Sequence, residues 1–147
     1  DATRCISYLT IEKKGAIPED LREPIGSLLY GCDICQDVCP WNISFAREIS
    51  EAAFRPREMF LGKEARELAR EILAMSEQTY REKFKASAMK RAKRRGLARN
   101  AAVVLGNIGD ELDVPALLAA RNDSDFLVSE LAEWALARID ARSGLAR

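Results

Sequence analysis

The four cysteines of this 147-residue chain, all within its first 39 positions, constrain it more than any other feature. Three of them form Cys32-x2-Cys35-x3-Cys39-Pro40, and 26 residues separate Cys5 from that triple. Two residues between cysteines let a tight loop present two thiolates side by side, as adjacent corners of a metal site require. Pro40 then ends the loop. A four-cysteine zinc site usually has two close pairs. One close triple and one distant single suit an iron–sulfur cluster better. A redox Cys-x-x-Cys leaves Cys39-Pro40 without a use. A disulfide framework would staple the whole fold rather than one end. Zinc stays open as the rival reading.

Bacterial double-cluster ferredoxins carry C-x2-C-x2-C-x3-C-P, whose last cysteine crosses to the second cluster. The triple here matches the last three of those four cysteines. The remaining run is therefore expected to precede residue 1.

Charge narrows the function further. Net charge is zero, with 23 Lys+Arg against 23 Asp+Glu, and there is no histidine. The commonest metal ligand and the usual general base are thus missing. The balance hides one strongly basic stretch. Between Tyr80 and Asn100 stand nine cations, opposed by Glu82 alone, for a local charge of +8. Such a run is most often a solvated face. It is also what phosphate binding needs, since affinity for nucleic acid comes from cations that displace counterions. Ser87, Lys90, Arg91, Lys93, Arg94, Arg95 and Arg99 are the candidate contacts, with Asn100 read as a cap or turn residue. No apolar run approaches a membrane span of roughly 20 residues. No export leader opens the sequence, so the expected location is the cytoplasm.

The chain divides into three regions. Residues 1–45 hold the cysteines and most turn residues. Ile6–Ile11 suits a strand or a short helix. Pro18-Glu-Asp-Leu suits a helix start, predicting a helix that runs toward Tyr30 and stops at Gly31. Residues 46–62 form a connector. Residues 63–147 are helical throughout. Ala65, Leu68, Ala69, Ile72 and Leu73 make an apolar stripe, Ser76 is an N-cap, and Tyr80 and Phe84 meet at i, i+4. Leu97, Ala101, Val104, Leu105 and Ile108 recur 31 residues later as Val128, Ala132, Ala135, Leu136 and Ile139. A period near 30 with paired helices favours stacked HEAT-like repeats over an ordinary bundle. Val114, Leu117 and Leu118 suit a short helix between the two. Phe126 and Trp134 read as core. The expected class is mostly α: a ferredoxin-like cysteine segment followed by a helical-repeat domain.

Two long motif blocks add a resemblance. Cys5-Ile-Ser-Tyr-Leu-Thr-Ile-Glu-Lys-Lys-Gly15, Ile17-Pro18 and Tyr30-Gly-Cys-Asp-Ile-Cys-Gln-Asp-Val-Cys-Pro-Trp-Asn42 resemble epoxyqueuosine reductases. So do Phe84-Lys-Ala-Ser-Ala-Met-Lys-Arg-Ala-Lys-Arg-Arg-Gly96 and Arg99-Asn-Ala-Ala-Val-Val-Leu-Gly-Asn107. The resemblance implies an oxidoreductase with two [4Fe–4S] clusters and cobalamin. Its substrate would be epoxyqueuosine at the wobble base of tRNA, reduced to queuosine, and its partner the anticodon stem-loop.

On that resemblance Cys5, Cys32 and Cys35 supply three ligands of one cluster and Cys39 crosses to the other. Cobalamin would be held mainly outside these residues, with Lys13, Asp33 and Gln36 as possible touching points. The catalytic acid would lie outside too, leaving the isolated chain inactive. A monomer is expected. The competing readings are an electron-transfer module of another cobalamin enzyme, such as a reductive dehalogenase, and a zinc-stabilised helical scaffold.

Overall fold

The computed structural model describes residues 1–145, and all regular structure among them is helical. In chain order the helices are α1 (Glu19–Arg22), α2 (Ile34–Asp37), α3 (Pro40–Phe45), α4 (Ala65–Leu73), α5 (Glu77–Lys83), α6 (Lys93–Ile108), α7 (Val114–Ala120) and α8 (Phe126–Leu145). A wide π-type helical turn covers Tyr8–Glu12. No helix among the described residues is long and apolar enough to cross a membrane.

The architecture is organised around α6. Every residue from Gly96 to Gly106 is buried. A helix apolar on all sides must be covered on all sides. Here α4 and α8 pack on it, α7 packs on α8, and the Tyr8–Glu12 turn lies against α6 as well. Of the two stripes separated by 31 positions, Leu97, Ala101, Val104 and Leu105 are buried on α6 and Val128, Ala132, Ala135 and Ile139 on α8, while Ile108, at the end of α6, is 40% exposed. Gly106 lets the helices approach. A Cβ there would lie 2.9 Å from Cε3 of Trp134. The guanidiniums of Arg22 and Arg138 in turn lie over the Trp134 ring, 5.3 and 5.5 Å from its centroid.

Caps account for the ends. Ser76 accepts from the Thr79 amide at the start of α5, as expected. Asp125 accepts from the Leu127 amide at the start of α8. Tyr80 and Phe84 meet at i, i+4 with centroids 5.2 Å apart and ring planes tilted by 36°.

Three expectations are corrected. The helix from Pro18 does not reach Tyr30. It ends at Arg22, passes into a short 3-10 turn over Glu23–Ile25, and breaks at Gly26 with φ 56°. Pro24 has no N–H to continue the helical ladder. Phe126 is 75% exposed, not core. It is the first residue of α8, two positions before buried Val128 and so on the opposite side of the helix. Asn100 is neither cap nor turn but a buried residue in the middle of α6.

Candidate iron–sulfur segment and basic groove

The cysteine segment is built from a short helical stretch and a facing loop stapled by hydroxyls. Ser7 Oγ accepts from the Cys32 amide at 2.9 Å and donates to the Cys32 carbonyl at 3.0 Å. Thr10 Oγ1 accepts from the Gly31 amide at 2.9 Å. Ser7 and Thr10 are three apart on one helical face, so they grip successive residues of the facing chain. Cys5 immediately precedes that helical face. Gly31, with φ 78°, supplies the left-handed turn into Cys32.

Cys35 lies in α2, and Cys39 is the residue before α3, its carbonyl accepting from Ile43. Asn42 ties the two short helices together, donating to both the main-chain and side-chain oxygens of Gln36. All four thiols are free, with Cys5 and Cys35 exposed. The Cys5 thiol is held below its ordinary value, chiefly by the backbone N–H of Tyr8 and then that of Ser7. Amides aimed at sulfur favour the thiolate, the form that binds iron. These free, partly exposed thiols fit cluster ligation.

Among the described residues, no three Cys, Asp or Glu side chains converge tightly enough to hold a single ion. Beside the thiols, Ile34, Val38, Trp41, Ile43 and Phe45 are all exposed on or next to α2 and α3, with Trp41 72% exposed and stacked on Phe45 at 5.5 Å.

The three residues suggested for cobalamin do not line one cavity. Lys13 lines a small cleft with Lys14, Arg91, Lys93 and Arg95. Gln36 lines a separate depression with Asp37, Asn42 and Ile43. Asp33 precedes α2, and its side chain makes no cap.

The basic stretch forms an open groove of about 780 Å³ between α5 and the turn before α8, lined by Lys90, Lys93, Arg94, Arg95 and Arg81. Its cations are not equivalent. Arg91 pairs with Glu12 at 2.7 Å, Arg94 with Asp123 at 2.6 Å, Arg95 with Asp125 at 3.4 Å and Arg81 with Glu77 at 3.1 Å. Among the described residues, Lys83, Lys85, Lys90 and Lys93 have no carboxylate partner and are exposed.

Arg94 is a correction to the expectation of a fully solvated side chain. Its Nε also donates to the Met75 carbonyl, and the side chain is 18% exposed. Arg99 is a stronger correction. It is 1% exposed and bonded to main-chain carbonyls, so it cannot offer its guanidinium to a phosphate. Burial pushes its pKa down to about 10, still leaving it charged at neutral pH. Ser87 caps the 3-10 turn Ala88–Ala92 by accepting from Met89, and its hydroxyl hydrogen remains available.

Sequence reasoning missed several residues that shape both sites. Arg57, read only as part of a connector, donates to the carbonyls of Lys85 and Ala86 at 3.0 Å, holding the bend where Ala86 has φ 54°. Glu12, Asp123 and Asp125 neutralise part of the basic stretch. Their signal was their position across the fold from the cations, which spacing along the chain does not carry.

The chain is similar to known proteins along most of its length. Residues 1–42 match the family described as 4Fe-4S double cluster binding domain. The chain is 47% identical over 139 residues to an epoxyqueuosine reductase of Pseudomonas aeruginosa, covering 94% of this chain and 37% of that protein. It is 41% identical to the Escherichia coli K12 epoxyqueuosine reductase, covering 94% of this chain and 35% of that one. It superposes with TM-score 0.80 and 31% identity on a crystal structure of epoxyqueuosine reductase with a tRNA-Tyr epoxyqueuosine-modified stem loop. That match covers 94% of this chain and 36% of the other. These relatives do not favour the dehalogenase and zinc-scaffold alternatives. The chain belongs to the epoxyqueuosine reductase family and spans a little over a third of the length of the relatives it matches.

Proposed function

We propose that this chain supplies iron–sulfur ligands and tRNA-binding surface to an epoxyqueuosine reductase that converts epoxyqueuosine to queuosine in tRNA. The observation that carries the proposal is that one helix serves both sites. α6 presents Lys93 and Arg95 to the groove and, one to two turns later, holds the cysteine segment through Arg99 and Asn100.

Cys5, Cys32 and Cys35 are proposed as ligands of one [4Fe–4S] cluster and Cys39 as a ligand of a second. Each cluster takes four thiolates, so four cysteines cannot complete two clusters and the others must come from beyond these 147 residues. A bound cluster would supply single electrons. The residues present hold the thiolates in place, with Ser7 fixing Cys32 and the amides of Ser7 and Tyr8 facing Cys5.

Lys90 and Lys93, with Arg91, Arg95 and Ser87 around them, are proposed to contact the phosphate backbone of an anticodon stem-loop, positioning it without reading its sequence. Arg94 shapes that groove from its floor. Cobalamin is proposed to be held mainly by residues outside this chain, and Lys13 is reassigned to the basic cleft. The apolar face of Val38, Trp41 and Phe45 suits packing against another part of such a protein, being wider than isolated exposed apolar residues. The domain division at 45 and 62, the HEAT-like character of residues 63–147, a monomeric state, a cytoplasmic location and inactivity of the chain alone belong to the same reading.

The test uses the full-length protein that contains this chain, purified without oxygen and given a reductant, cobalamin and tRNA bearing epoxyqueuosine. Conversion to queuosine is expected, with loss in a Cys32→Ser variant. Absence of conversion by a protein carrying its full iron and cobalamin would contradict the proposal.

A further inference from the structure

Arg99 heads the fully buried side chains in size, and it carries a charge. A guanidinium removed from water is costly unless its donors are satisfied. Here Nη1 donates to the carbonyls of Lys13 and Gly15 at 2.5 and 2.8 Å. Nη2 donates to the Leu9 carbonyl at 2.7 Å, and Nε to Asn100 Oδ1 at 3.1 Å. No carboxylate is among these partners. The fixed positive charge therefore sits at the carbonyl end of the Tyr8–Glu12 turn, where a helix leaves its acceptors unpaired.

Asn100 extends the grip. Its Nδ2 donates to the Thr10 carbonyl at 2.7 Å and the Leu29 carbonyl at 3.0 Å. The two chain segments that carry Cys5 and Cys32 are thus held by one pair of adjacent residues. The Thr10 hydroxyl then takes the Gly31 amide, and Ser7 takes both main-chain groups of Cys32. The Leu9 amide in turn donates to the Cys5 carbonyl at 2.9 Å, so hydrogen bonds link the middle of α6 to the main chain of both Cys5 and Cys32.

We propose that Arg99 and Asn100 are positioning residues that fix Cys5 and Cys32 relative to each other from inside the core. Neither touches a cluster or nucleic acid. This rests on the reading of Cys5 and Cys32 as ligands of one cluster.

The experiment uses the full-length protein, loaded with iron and sulfide. It measures the rate of iron loss to a chelator without oxygen and the electron paramagnetic resonance spectrum after reduction. Variants are Arg99→Gln, Asn100→Ala and the milder Thr10→Val, which removes only the hydroxyl that receives Gly31. Gly106→Ala is the comparison, because it strains the same helix without touching the network. Partners behind metal ligands commonly alter metal affinity by about ten- to a hundredfold. Iron loss about tenfold faster, with a changed spectrum, is expected in Arg99→Gln, Asn100→Ala and Thr10→Val but not in Gly106→Ala. Arg99→Lys, which keeps the charge and one or two of the bonds, should recover part of the effect.

If Thr10→Val leaves both readouts at the parent value, or if Gly106→Ala of matched melting temperature changes them equally, the positioning role is overturned. Cys5→Ser and Cys32→Ser serve as separate arms. If these leave iron content and spectrum unchanged, the ligand assignment itself has failed.

Discussion

The Nη2 of Arg99 lies 2.7 Å from the carbonyl oxygen of Leu9, ninety positions away in the chain. That bond joins the basic helix to the cysteine segment. It also explains why an arginine within a run of exposed cations is itself buried.

Removing that guanidinium should cost stability out of proportion to its surface. Arg99→Met would leave the buried Leu9 carbonyl without its donor, at a cost of about 1–3 kcal/mol, and return the part-buried carbonyls of Lys13 and Gly15 to water. A loss of about 2–4 kcal/mol is expected once the lost guanidinium packing is included, read as a fall in the urea midpoint of the chain. A loss below about 1 kcal/mol would show that the carbonyls find other donors.

Gly106→Ala tests the α6–α8 contact. The added methyl would press into the Trp134 ring, which is itself held by Arg22 and Arg138. Overpacking of this kind costs about 1–3 kcal/mol. Thermal melting of the variant checks it, and Gly144→Ala, where a Cβ meets nothing within 4 Å, should be near neutral.

The Arg94–Asp123 pair makes a pH prediction. Asp123 is held below the ordinary aspartate range, first by its hydrogen bond from Arg94. A carboxylate depressed in the folded state contributes stability that is present above its unfolded value near pH 3.9 and is lost as pH falls through the lower folded value. The stability gap between the parent and Asp123→Asn should therefore be constant from pH 7 to about 5 and close below about 4. Melting curves from pH 7 downward measure it, and a gap that does not narrow as pH falls below about 4 would contradict the assignment.

The folded helices were largely legible in the sequence, and the partnerships of their charges were not. The 31-residue offset located α6 and α8, and Ser76 located the start of α5. The cysteine spacing pointed to iron–sulfur chemistry before any coordinates. Arg94 and Arg99, however, look the same along the chain as Lys90 and Lys93. Only the approach of Asp123 to one, and of three carbonyls to the other, takes them out of the solvent. Local pattern records which face a helix buries. It does not record what a distant loop offers to that face.

That distinction orders the tRNA contacts. Charge reversal at Lys90 and Lys93 together should weaken stem-loop binding strongly and flatten its salt dependence by roughly 0.7–0.9 per lost phosphate contact. Arg99→Lys should leave the salt slope unchanged, because that side chain does not reach solvent. Filter binding over a salt series decides it. Equal slopes for the parent and the double lysine variant would place the nucleic acid elsewhere.

The central claim is that Cys5, Cys32, Cys35 and Cys39 divide between two [4Fe–4S] clusters completed by cysteines outside this chain. Iron and sulfide analysis of the full-length protein, prepared without oxygen, tests it most directly, with serine variants at Cys5 and Cys39 measured separately. The account predicts about eight irons per parent protein, since two clusters carry four each, and loss of a different cluster signal in each variant. A single zinc in place of iron, or unchanged spectra in both variants, would contradict it.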